Sequence, residues 1–314
     1  MRDSFIRALT ELAAADPRVV LITGDLGFGV LTEFAKSRPD QFINAGVAEQ
    51  NMTALAAGLA LEGAKVYTYS IANFTTLRCL EQLRNDVCYH GCDVTAVAVG
   101  GGFSYGQLGM SHFATEDLAI LRALPNMTVI APSDPWQAFE LTKQLHAKGG
   151  PAYLRLDKDK AGLPEYPSSV TLGKAREVRP GTDAVIFSCG AILCEALAAA
   201  QALEAEDGLS VRVVDIHTLK PLDAEAIVAA ASACGVVVTL EEHNIVGGLG
   251  AAVAEACLEA GARVRAFRRV GLADCFPSVV GDQRYLRGQY GMNASAVTLA
   301  VREAISSSSR GAQI

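Results

Sequence analysis

Val94-Thr95-Ala96-Val97-Ala98-Val99, followed at once by Gly100-Gly101-Gly102-Phe103-Ser104-Tyr105-Gly106-Gln107-Leu108-Gly109, is the stretch that decides the fold. Six apolar or β-branched residues in a row offer no polar face, so a strand built from them is covered on both sides. The glycine-rich segment after it can approach a ligand closely, because glycine has no Cβ. Outward from this point, short β-branched runs alternate with Ala/Leu-rich amphipathic stretches. The spacing predicts strands over 19–23, 65–69, 94–99, 128–131 and 152–156, then 184–189, 211–216, 236–240 and 263–267. Helices are expected over 4–15, 49–61, 76–88, 116–123, 135–147, 191–205, 224–233 and 248–260. Strands separated by helices of this length imply βαβ crossovers and largely parallel sheets. The expected fold class is therefore α/β, with two doubly wound domains over 1–160 and 183–314. The Lys/Asp/Pro/Gly/Ser-rich stretch 161–182 reads as their linker, with a short strand near 176–178. Residues 306–311, rich in serine, read as a frayed end.

Composition narrows the partners. Half of the 314 residues are hydrophobic and 19% are charged, which suits a folded, core-rich chain. A formal charge of -7 argues against nucleic acid or an anionic membrane as the main partner. No apolar run reaches the roughly 18–20 residues of a membrane span. The opening Met1-Arg2-Asp3-Ser4-Phe5-Ile6-Arg7 lacks the apolar region of a secretory signal. Eight scattered cysteines suit reduced thiols in a cytoplasmic protein. Cys88-Tyr89-His90-Gly91-Cys92 has no second ligand pair at finger spacing, so no metal site is expected in this chain.

Several polar residues stand out against this apolar background. Asn44-Ala45-Gly46-Val47-Ala48-Glu49-Gln50-Asn51-Met52 puts one carboxylate, Glu49, at the head of a small-residue helix. A carboxylate there is either favoured by the helix dipole in the first turn or kept for chemistry, since burying it alone costs several kcal/mol. Gly24-Asp25-Leu26-Gly27-Phe28-Gly29 follows the first strand, where open α/β sheets place ligand-binding loops. It has neither a P-loop ending nor a dinucleotide fingerprint. His112 ends the long glycine loop. Phe74 begins a helix after the second strand, and its default role is core packing. Arg155 interrupts Tyr153-Leu154-Arg155-Leu156-Asp157 and needs an anionic partner, for which Asp157 or a substrate phosphate would serve.

Taken together these segments resemble the C-terminal half of the transketolase family of thiamine-diphosphate enzymes. The matching pieces are Gly46-Val47-Ala48-Glu49-Gln50-Asn51-Met52, 74–88, 111–134, Tyr153-Leu154-Arg155 and Glu241-Glu242-His243-Asn244-Ile245-Val246-Gly247-Gly248-Leu249-Gly250. The resemblance implies a thiamine-diphosphate pyrimidine-binding domain followed by a smaller transketolase C-terminal-like domain. It is nearest to the separate C-terminal subunit of a split transketolase, or to a deoxyxylulose-phosphate-synthase-like protein. Family members carry Gly-Asp-Gly in an earlier domain that holds Mg²⁺ and the cofactor's diphosphate. Here Gly24-Asp25 is followed by Leu26, and Gly281-Asp282 by Gln283. The resemblance therefore implies an N-terminal partner subunit that supplies the diphosphate and Mg²⁺ site. It also implies a homodimer of this chain within an α2β2 assembly.

What the family does at matching positions gives expected roles. Glu49 resembles the carboxylate that bonds the pyrimidine N1′ of thiamine diphosphate and promotes its activation. Phe74 matches the aromatic that stacks on the aminopyrimidine. Asp25 and Leu26 match positions near the thiazolium of a neighbouring subunit's cofactor. His112 matches a histidine near the reacting carbonyl of the substrate, and Arg155 and Arg2 match arginines that grip a sugar phosphate. The chain departs from the family at Phe113, where a second polar residue is usual, and across 100–108, where a histidine and an aspartate are usual. Two further readings share the layout: the β subunit of a 2-oxo-acid dehydrogenase, and a non-catalytic relative. Ser111-His112-Phe113-Ala114-Thr115-Glu116-Asp117 favours the transketolase side.

Overall fold

The computed structural model describes residues 1–163 and 169–310, the side chains of 309 and 310 excepted. The strands are β1 (Val19–Thr23), β2 (Phe42–Asn44), β3 (Lys65–Ile71), β4 (Val94–Val99), β5 (Thr128–Ile130), β6 (Ala152–Leu156), β7 (Arg176–Arg179), β8 (Ala184–Ser188), β9 (Val211–Asp215), β10 (Thr218–Lys220), β11 (Val236–Asn244) and β12 (Ala266–Leu272). The helices are α1 (Arg2–Ala15), α2 (Thr32–Ser37), α3 (Glu49–Leu61), α4 (Ala72–Thr75), α5 (Leu80–Gln82), α6 (Asp117–Ala123), α7 (Pro135–Lys148), α8 (Leu193–Asp207), α9 (Ala224–Cys234), α10 (Leu249–Glu259), α11 (Gln283–Gln289) and α12 (Ala294–Arg310). Seven strands form one sheet in the order β10-β5-β6-β4-β3-β1-β2, and five form a second in the order β12-β11-β8-β9-β7. Pairing is parallel except at the edges, where β10 runs against β5 and β7 against β9.

Alternation along β4 shows why the sheet is covered twice. Ala96 and Ala98 join the cluster that holds Met52 of α3 and Leu118 of α6. Val97 and Val99 join the opposite one, with Phe5 and Leu9 of α1 and Leu141 of α7. Successive side chains of a strand point to opposite faces, so a run without polar residues fills both cores. The second sheet repeats the device: Val185 and Phe187 of β8 face the cluster shared with the first sheet, while Ala184 and Ile186 face α8 and α12. The two-sheet α/β architecture expected from the pattern is the one found.

Some local features differ from the expectation. Residues 76–88 are not one helix: Leu77–Cys79 is a 3₁₀ turn and Leu83–Cys88 a π-helical turn on either side of α5. Residues 306–310 continue α12, because Val297, Val301 and Ala304 give that helix an apolar stripe against the second sheet; Gly311 lies outside the described residues. The last strand is displaced from 263–267 to Ala266–Leu272. The short strand expected near 176–178 is present as β7, at the edge of the second sheet. Finally, β10 follows β9 of the second sheet yet pairs with β5 of the first, stitching the two together. Among the described residues no helix is long and apolar enough to cross a membrane.

Arg155 is corrected here as well. Its guanidinium is 5% exposed, donates to Asp117 at 2.9 Å, and reaches the carbonyls of Ala114 and Glu242 at 2.9 Å each. Tyr153 donates to the same Asp117 oxygen at 2.6 Å. The anionic partner in the folded chain is Asp117 rather than Asp157. Burial opposes the charge most strongly, but Asp117 together with Tyr153, Cys189 and Glu242 outweighs it and raises the guanidinium pKa. Replacing Arg155 by Leu strands a buried carboxylate and should cost about 3–5 kcal/mol; a denaturant midpoint equal to that of the parent would contradict this.

His217, beside β10, is buried, with Nδ1 2.9 Å from the Thr218 hydroxyl. Burial first, then the charge of Arg176, lowers its pKa to about 4. The folded chain prefers the neutral ring, so its stabilising contribution is complete above about pH 6.5 and is lost as pH falls toward 4. A His217→Gln chain should therefore lose less stability than the parent over that window, measured by denaturant unfolding at each pH.

Candidate active site

The polar residues gather where the parallel strands of the first sheet end. β1 leads into the Gly24 loop, β3 into α4, β4 into the loop 100–109, and β6 into Asp157 and Lys158. Carboxyl ends of strands are the places in such a sheet where backbone leaves the core and side chains can meet a ligand.

Glu49 opens α3 and is 2% exposed. It is not solvated, as a plain first-turn acid would be. Its Oε2 accepts from Nη1 of Arg78 at 2.6 Å, and the Ser70 hydroxyl of β3 lies 3.4 Å from Oε1. Gly24 packs directly on the carboxyl group, where an added Cβ would meet Glu49 Cγ at 3.2 Å. The Arg78 guanidinium also lies over the Phe74 ring, 4.2 Å from its centroid. The break in the expected helix brings this about, since α4 carries Phe74 and the following 3₁₀ turn carries Arg78. Phe74 in turn faces His112, with ring centroids 5.2 Å apart.

His112 ends a 3₁₀ turn rather than opening a helix. Its Nδ1 is 2.9 Å from the Ser111 hydroxyl, and the Tyr105 ring lies 6.3 Å away. Burial first, then the charge of Arg78, lowers the imidazole pKa below its ordinary value. The neutral ring, with one N–H to donate, thus prevails at neutral pH.

The remaining expected residues divide. Arg2 is half-exposed at the start of α1, 3.3 Å from Asp3. Its charge acts on Tyr105 and on Lys158, whose ammonium sits 3.5 Å from the Tyr105 ring centroid. Burial first and then Arg2 lower the Lys158 pKa. Asp25 and Leu26 line a separate cleft of about 350 Å³ beyond β1. Asp25 adopts a left-handed backbone (φ 57°) and is held by Asn44, which accepts from its N–H at 3.1 Å and donates to its carboxylate at 2.9 Å.

Glu49, Phe74 and His112 are thus brought together, and Arg78, Tyr105 and Lys158 complete the group. Arg78 was missed, because it reaches Glu49 and Phe74 through the break between α4 and the following 3₁₀ turn. Lys158 lies beyond the strand end that buries Arg155, the difference a single-sequence reading of that strand missed. Glu49 and Phe74 present one planar group with an acceptor and a stacking face. Arg78 is such a group and occupies both, so these residues fit the aminopyrimidine of thiamine diphosphate. Among the described residues no cluster of three or more His, Cys, Asp or Glu could hold a metal ion.

Comparison with known proteins covers both halves of the chain. Residues 1–163 match the family model for the transketolase pyrimidine-binding domain, and residues 173–297 the transketolase C-terminal domain. Over 305 residues the chain is 37% identical to the 6-deoxy-6-sulfo-D-fructose transketolase subunit of Clostridium sp. (strain MSTE9), covering 96% of this chain and 94% of that one. Over 302 residues it is 37% identical to one of the subunits of the apulose-4-phosphate transketolase of Phocaeicola vulgatus, covering 94% of each. A solved structure described as a split gene transketolase, inactive beta4 tetramer, superposes with a TM-score of 0.85 at 37% identity, covering 97% of both chains. The chain belongs to the transketolase family, whose members use thiamine diphosphate, and it comprises the pyrimidine-binding and C-terminal domains of that family.

Proposed function

We propose that this chain is the C-terminal subunit of a split transketolase, which moves a two-carbon ketol unit between sugar phosphates. Its partner would be an N-terminal subunit carrying the diphosphate and Mg²⁺ site. Residues 1–160 would act as the pyrimidine-binding unit and 183–314 as the C-terminal unit, joined by 161–182. The observation that carries the reading is the convergence of Glu49 and Phe74 on one planar donor, with His112 beside them. Relatives of nearly the same length are named as subunits of transketolases, and the similar solved structure is described as an inactive tetramer of a split gene transketolase. An α2β2 assembly in the cytoplasm, with a homodimer of this chain at its centre, is the arrangement we favour.

When bound, thiamine diphosphate supplies a carbon nucleophile at thiazolium C2. The residues of this chain do the rest. Glu49 would hold the pyrimidine N1′, with its carboxyl group able to exchange a proton there once Arg78 yields it. Phe74 would offer the face on which that ring stacks. His112, neutral at working pH, donates its N–H to the substrate oxygen as negative charge develops there. Arg2 and Lys158, flanking Tyr105, offer two cations for the phosphate end of the sugar. Asp25 and Leu26 face outward from their own cleft, where a neighbouring subunit's cofactor would lie.

Three measurements test this. The purified chain should show no thiamine-dependent turnover until a partner containing Gly-Asp-Gly is added, after which a ketose phosphate and not pyruvate should serve as donor; robust activity alone would refute the split. Glu49→Gln in the reconstituted pair should fold normally and lose about 10²–10⁴ in turnover. In Arg78→Met, one of the two causes depressing His112 is removed. Its pKa, read by NMR titration, should rise yet stay below the ordinary value, because burial remains.

A further inference from the structure

The loop 100–109 belongs to the first sheet, but the second domain holds much of it. Glu242 of β11, 2% exposed, accepts the Phe103 N–H at 2.6 Å. Arg287 of α11 pairs with the same carboxylate from the other side and reaches Asp159 at 3.0 Å. The Gln283 amide of α11 bridges Glu242 at 2.9 Å and Asp157 at 3.1 Å, and Ser104 donates to Asp157 at 2.7 Å. The Gly281 N–H bonds the Gly106 carbonyl at 3.2 Å. The Phe103 ring packs on Phe113 and on Tyr290. Gly102, at φ +57, lies so near Glu242 that an added Cβ would clash with its Oε1.

This clamp acts where the chemistry is placed. Gly102 and Ala114 exchange backbone hydrogen bonds at 2.9 and 3.1 Å, so fixing Phe103 also fixes the return of the loop through His112. Tyr105, two residues beyond Phe103, is the ring between His112 and Lys158. Burial of Glu242 pushes its carboxyl pKa up, and Arg287 with the Phe103 N–H oppose that shift. Such a pair in so buried a place is poor stabilisation for its own sake, because desolvation offsets the attraction. Its yield is a fixed geometry.

We propose that Glu242, Arg287 and Gln283 are positioning residues through which the C-terminal domain sets the loop 100–109, and with it Tyr105 and His112, for substrate. None of the three needs to touch substrate. The functional half of this proposal rests on the ketol-transfer reading above; the structural half does not.

The test uses amide hydrogen exchange on the full chain and kinetics on the pair reconstituted with its partner. Gln283→Ala removes a half-buried side chain and should leave exchange in α3 and β4 as in the parent. It should raise exchange at Phe103 and its neighbours about tenfold, as a locally opened segment does. Arg287→Gln should do the same, and Arg287→Lys, which keeps the charge, should stay near the parent. In the pair, Gln283→Ala should raise KM for a ketose phosphate about tenfold or more, with kcat changed far less, since small misplacement in a site has effects of that order. Unchanged loop exchange in a folded Gln283→Ala chain overturns the proposal. So does a freed loop with KM and kcat both unaltered. Should Arg287→Gln loosen the whole chain, Gln283→Ala decides alone. If the parent pair turns over no ketose phosphate, the ketol-transfer reading fails while exchange still decides the clamp.

Discussion

A parallel sheet covered by helices on both faces leaves its polar chemistry one place to go. Along β4 every side chain is buried, alternately against α3 and α6 or against α1 and α7. The charged groups of the site gather where strands end and the backbone turns out of the core. That constraint puts Glu49, Phe74, His112 and Lys158 within one neighbourhood, although they are up to 109 residues apart in sequence.

Charges gathered at such an edge are partly desolvated, and three carboxylates there have recruited a cation. Glu49 has Arg78, Asp117 has Arg155 and Glu242 has Arg287. The three pairs differ in what they leave available. Arg155 spends its donors on Asp117 and two carbonyls, so it braces the floor under the loop. Arg78 is 42% exposed, with solvent on one side and the Phe74 ring on the other. A cation so placed can leave only as another donor takes its place, because Glu49 itself is buried.

The two domains are less separable than a linear reading of the chain suggests. β10 leaves the second half to pair with β5, and His243 of β11 receives the Ala119 N–H of α6 at 3.3 Å. His243 is buried within this junction. The site thus stands on a frame to which both sheets contribute.

Much of the architecture was legible because it depends on local pattern. Apolar strands, amphipathic helices and glycine loops at strand ends carry their own periodicity, and with them the α/β class, most element positions and the motif around Glu49. What the sequence could not determine were the partners of the charges. Arg155 read as a phosphate ligand because strand periodicity says an arginine is present but not which acid meets it; Asp117, 38 residues away, does so only through the fold. Arg78 met Glu49 because residues 76–88 break into short turns, an outcome of packing against α3 rather than of helix propensity. Periodicity is a property of neighbours along the chain, whereas charge pairing belongs to neighbours in space, and only the tertiary structure makes those.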